Sequence, residues 1–177
     1  MRLWSRDGAC LEMYPTGYQY PDPPPGAVWP HPWFWHDCNW VMVGGEIELA
    51  NGDHWSFHDP CMTASEAEDF AEWLHAVAVC PGSGGTLPGR MSFIEPLFTF
   101  DVVSVRGGEI ALRVKLTHEA LPAGPDRYTR RPVVYELWMD RRVVDWAADE
   151  WRRALAAVPR GGGDTSADQA NAGPSGS

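Results

Sequence analysis

The chain has 177 residues, 44% of them hydrophobic and 21% charged, with ten Trp, which excludes a disordered or fibrous protein. Its 18 Gly and 16 Pro argue against a long all-helical bundle. The net charge of −10 is unevenly placed: residues 1–100 hold 13 Asp or Glu against 3 Arg, and residues 101–177 hold 11 of each sign.

An acidic front half argues against direct nucleic-acid or anionic-membrane binding, because phosphate contact needs Lys and Arg. It suits a basic partner, although solubility alone would also account for the charge. The N-terminus lacks the apolar run of a secretory signal, and no apolar stretch is long enough to span a membrane. A cytoplasmic location is therefore expected. Cys10, Cys38, Cys61 and Cys80 are spread singly and read as reduced thiols packed as small apolar residues.

In chain order, residues 21–36 form a Pro-rich then Trp-rich insert that cannot be helical. Covering the core is its plain reading and aromatic recognition its functional one. Trp40 to Leu49 reads as a strand, Asn51-Gly52 as a hairpin turn, and Asp53 to His58 as the return strand, ended by Asp59-Pro60. Trp55 and Phe57 fall on one face of that strand, with His54, Ser56 and His58 on the other. Thr63-Ala64-Ser65-Glu66 matches a capping box that opens a helix running to about Ala78, with Ala67, Phe70, Leu74 and Val77 as its buried stripe. Residues 81–85 are a connector, and Met91 to Ile94 a short strand.

Leu97 to Arg106 and Glu109 to Leu116 form a second hairpin around Gly107-Gly108. A strict two-residue loop would set Phe100 and Val102 opposite Lys115 and Arg113, so a three-residue or bulged loop is expected. Residues 117–131 read as loop and Pro132 to Met139 as a strand. A last helix runs from about Arg141 to Val158, capped by Asp140, with Val144, Ala148, Trp151, Leu155 and Val158 as its stripe.

This order gives an α+β protein: one domain over residues 1–160, a mostly antiparallel sheet of about 5–7 strands, and two main helices on one face. Residues 161–177 hold no aromatic or large aliphatic side chain and are expected to be a disordered tail.

Chemistry finds little support. His36, Cys38, His54, His58 and Cys61 are the only group with metal-ligand residue types. On a strand, however, His54 and His58 lie about 13 Å apart, too far for one zinc. No metal, no cofactor and no catalytic residue is therefore assigned. No nucleophile elbow, P-loop or dinucleotide fingerprint occurs. A small enzyme or metal protein using residues 36–61 remains the alternative reading, and a peptide- or sugar-binding module using the aromatic insert a third.

Several separated pieces resemble the WapI family of bacterial immunity proteins. They are Asp37-Cys38-Asn39-Trp40-Val41-Met42-Val43, Trp55 through Thr63 with Glu66 and Trp73-Leu74 in the helix beyond, Phe93-Ile94-Glu95-Pro96-Leu97, and Trp151-Arg152-Arg153-Ala154-Leu155 closing on Pro159-Arg160. The insert at 21–36 departs from the pattern. The resemblance implies a cytoplasmic protein that binds and blocks a cognate toxin domain without catalysis. A toxin that cleaves nucleic acid tends to carry a basic cleft, which the acidic front half would attract. The carboxylates expected to meet it are Glu46, Glu48, Asp53, Asp59, Glu68, Asp69 and Glu72, joined into one surface if the first helix packs on the hairpin sheet. Glu66 is set apart for its capping role.

Overall fold

A computed structural model describes residues 1–19, 40–82 and 86–159. The insert at 21–36 and the tail at 161–177 lie outside these residues.

Eight strands form two antiparallel four-stranded sheets. In the first, β1 (Arg2–Trp4), β2 (Cys10–Tyr18), β3 (Trp40–Glu48) and β4 (His54–Thr63) are neighbours in chain order. In the second, β5 (Met91–Ser92), β6 (Phe98–Arg106), β7 (Glu109–Leu116) and β8 (Val133–Asp140) are likewise in order. Helices α1 (Ala64–Val79) and α2 (Arg141–Ala157) each follow the last strand of a sheet. The α+β class stands. The strands divide into two sheets instead of one, and β1 and β2 add a pair that the sequence pattern does not announce.

The two sheets meet at a seam. The Arg6 amide donates to the Trp138 carbonyl at 2.9 Å, and the Trp138 amide donates to Ser5 Oγ at 2.9 Å. Across it the Arg6 guanidinium lies 5.1 Å from the Trp138 ring centroid and pairs with Glu109 at 3.1 Å. One hydrophobic core serves both sheets. Phe57 of β4 meets Phe98 of β6 with ring centroids 5.0 Å apart, while Phe70 of α1 touches Phe93, Phe100 and Trp151.

The β3–β4 hairpin closes through Ala50-Asn51-Gly52. Gly52 N–H donates to the Leu49 carbonyl, Leu49 pairs with Asp53, and Gly52 takes φ +89°. This is a three-residue loop with glycine at the left-handed position. Strand β4 does not stop at Asp59-Pro60. It runs on to Thr63, with a bulge where Val41 pairs Met62 and Met42 pairs Pro60. β4 is the free edge of its sheet, where a residue without N–H costs no ladder bond.

The β6–β7 hairpin corrects the other loop expectation. Arg106 pairs with Glu109, so Gly107-Gly108, at φ +58° and +89°, make a tight two-residue turn. The register slips instead at Val103, bulged between Val102 and Ser104. Val102, Phe100 and Phe98 then face Leu112, Val114 and Leu116. The bulge does within the strand what a longer loop was expected to do: it puts the apolar set on one face.

Both helix starts follow the sequence. Thr63 accepts from the Glu66 amide while Glu66 accepts from the Thr63 amide, completing the capping box. Asp140 accepts from the Arg142 amide at 2.8 Å, and that bond holds its carboxyl below the usual range. On α1 the buried side chains are Ala67, Phe70, Ala71, Leu74, Val77 and Ala78.

Candidate functional site

The expected carboxylates are distributed over three concavities and one turn. Strand alternation decides the first separation. Val41, Val43 and Ile47 of β3 point into the core, so Glu46 and Glu48 stand on the opposite, solvent face of the sheet. There they line a shallow hollow of about 170 Å³ with Arg2, Cys10, Glu12 and His54. Its charge is partly compensated within the hollow: Arg2 pairs with Glu12, and His54 lies 3.8 Å from Glu46. Asp53 sits in the neighbouring turn, where its carboxylate accepts from the Asn51 amide group and its backbone N–H donates to Asn51 Oδ1.

Asp59 faces a second concavity of about 430 Å³, with Gln19, Trp40, Pro60, Glu95, Leu97 and Glu119. Partial burial raises its pKa, and Glu119 adds to the shift, with Arg127 working the other way. Glu95 and Glu119 were not singled out from the sequence. They come from loops far along the chain, and only the approach of the second sheet brings them to Asp59.

Glu68, Asp69 and Glu72 line the third and largest concavity, a groove of about 730 Å³ between α1 and α2. Ala71, Leu155, Ala156, Val158 and Pro159 supply its apolar surface, and Arg152 its one cation. The groove exists because α2 packs across α1 through Trp151. This side chain is fully buried, donates its indole N–H to the Ala67 carbonyl at 2.8 Å and meets Phe70 edge-on at 5.6 Å. Beyond Trp151 the apolar stripe of α2 runs past its contact with α1, leaving Leu155 and Val158 half-covered beside the α1 carboxylates. Glu66 is placed apart from them: one oxygen closes the capping box and the other accepts from the Ile94 amide at 2.6 Å.

The His and Cys side chains go to separate places. His58 Nε2 lies 2.9 Å from Thr16 Oγ1 and His54 faces Glu46, both on the solvent face, while Cys61 is buried. His36 and Cys38 lie outside the described residues, and among the described ones no His, Cys, Asp or Glu group is arranged to hold a metal ion. Burial pushes the Cys61 and Cys10 thiols up, the opposite of what activates a nucleophile. No helix among the described residues is long and apolar enough to cross a membrane.

Comparison with known families matches residues 2–159 to the Immunity protein WapI-like family. The chain belongs to this family. The match runs through both sheets and both helices, so the WapI-like unit is the whole fold described above and not one part of it. No curated protein and no solved structure matches the chain. Within the WapI-like fold, most of the residues that carried the sequence resemblance do structural work: Thr63 caps α1, Phe93 and Trp151 pack on Phe70, and Trp73 donates to the Gly89 carbonyl at 2.7 Å.

Proposed function

We propose that this chain is a cytoplasmic immunity protein that binds one cognate toxin domain stoichiometrically and blocks it without catalysis. The observation that carries this reading is the family match over residues 2–159. The charge distribution supports it: the front half is strongly acidic, and Glu46, Glu48, Asp53, Asp59, Glu68, Asp69 and Glu72 all lie on or at the rim of solvent-facing concavities or turns. The partner is a basic protein domain, such as one that cleaves nucleic acid. Complementary potential would speed its encounter with this surface and penalise wrong partners. Neither nucleic acid nor membrane is a ligand, and no metal or cofactor takes part.

The test is co-expression of this chain with the toxin domain encoded beside it. Growth rescue together with a one-to-one complex by calorimetry is the expected result. Intact toxicity in the presence of the folded protein would overturn the reading, as would protection without a complex.

A further inference from the structure

We propose that the α1–α2 groove is the docking site for an amphipathic helix of the toxin partner, with Lys or Arg along one edge and aliphatic residues on the buried face. This rests on the immunity reading and gives it an address. The groove joins two features that the other concavities lack in combination. Its floor is apolar, from Ala71, Leu155, Ala156 and Val158, in a volume of about 730 Å³ that takes several side chains. Its α1 wall carries Glu68, Asp69 and Glu72, all exposed. The single cation, Arg152, is engaged by Glu72 at 3.1 Å and Asp149 at 3.2 Å, so the lining keeps an excess of negative charge. Glu68 and Glu72 are one helical turn apart, a spacing of about 5–6 Å that Lys residues at i and i+4 on a facing helix would match. Helix-in-groove recognition uses this pairing of an apolar floor with a charged edge.

Other occupants fit less well. The chain's own residues 161–177 carry Asp164 and Asp168, no basic residue, and no aromatic or large aliphatic side chain to fill the floor. A second copy brings its own net charge of −10 to an already negative wall.

The experiment titrates the full chain, labelled with ¹⁵N, with a short helical peptide of Lys and Leu, and with a Glu and Leu counterpart. Three proteins are compared: wild type, Glu68→Gln/Asp69→Asn/Glu72→Gln, and Ala156→Trp, which fills the floor from an exposed position and leaves the charges in place. Circular dichroism verifies that each is folded. The Lys/Leu peptide should shift amides of residues 68–72 and 152–158, and the Glu/Leu peptide should not. Both variants should lose about tenfold in affinity. Shifts centred on Glu46 and Glu48 or on Asp59, or unchanged affinity in both variants, would overturn the proposal. Tighter peptide binding after removal of residues 161–177 would make the tail the occupant and overturn it. A dimer of the free protein that Ala156→Trp dissolves would make the occupant a second copy and overturn it likewise.

Toxin co-expression separates this proposal from the one it rests on. Wild-type protection that both variants retain in full sinks the groove and leaves the immunity reading intact. Failure of wild type to protect sinks the immunity reading, and the peptide titration then decides the groove alone.

Discussion

The indole nitrogen of Trp151 donates a hydrogen bond to the carbonyl of Ala67 across the α1–α2 contact, 84 residues apart in sequence and fully buried. That bond fixes both the depth and the rotation of α2 on α1. Leu155 lies four residues on, one turn further along the same face, so its position beside Glu68 and Glu72 follows from where Trp151 is held. Replacing Trp151 with Phe keeps most of the packing and loses the donor, at a cost of about 0.5–1.5 kcal/mol. Trp151→Ala removes both and should cost about 3–5 kcal/mol. Urea unfolding of the two variants checks the order; equal losses would mean that the hydrogen bond contributes nothing.

Glu66 acts at two places with one carboxylate, which separates it from Thr63. Thr63→Ala should lose about 0.5–2 kcal/mol through the helix cap alone. Glu66→Ala removes the reciprocal capping bond and also the acceptor for the Ile94 amide. Hydrogen exchange at Ile94 should therefore quicken in the Glu66 variant and stay near wild type in the Thr63 variant. Similar exchange at Ile94 in the two would show that the carboxylate does not hold the 93–97 segment.

Gly45 lies where three strands crowd together. A Cβ built there would collide with both the Glu12 carbonyl oxygen and the Phe57 ring. The carbonyl belongs to a paired strand and cannot swing aside, so Gly45→Ala should destabilise by about 1–3 kcal/mol, as overpacking does. Thermal unfolding measures this. A wild-type Tm would mean that the β2–β3 pair opens more easily than its register implies.

Asp59 gives the fold a pH signature of defined sign. Its pKa in the folded protein is raised by burial and by Glu119, so over the window from the ordinary Asp value of about 3.9 up to the raised value the folded state binds the extra proton. The penalty for burying the charge is present above that window and is relieved as pH falls through it. Asp59→Asn should therefore be more stable than wild type at neutral pH, and the advantage should shrink on acidification. Glu95, Glu119, His58 and Arg127 face the same group and are unchanged in the variant, so the comparison isolates Asp59. A constant difference across the pH range would contradict the assignment.

Short-range signals were legible in the sequence. The Thr63–Glu66 box, the Asp140 cap, the alternation of β4 and the glycine at position 52 each rest on residues within a few positions of one another. Strand β2 was harder to see because Pro15 and Gly17 interrupt the Leu11–Met13 alternation, and both sit at a bulge that tolerates them. Pro60 misled for the same reason: an edge strand can keep a proline, and edge position is a property of the assembled sheet. The acidic residues could be named but not grouped. Whether Glu46 joins Glu68 depends on which side of the sheet α1 takes, and the apolar stripe of α1 sends it to the side that Glu46 faces away from.

The seam between Ser5–Arg6 and Trp138 also dictates when the molecule can be complete. During synthesis the first sheet can pair as its strands emerge, yet β1 has no neighbour on its outer side until β8 has left the ribosome more than 130 residues later. The groove waits longer still, since α2 is made last. At about 5–20 residues per second that delay lasts on the order of ten seconds. A nascent chain offers only one wall of the groove until then, so protection would be acquired all at once, after translation has run through α2.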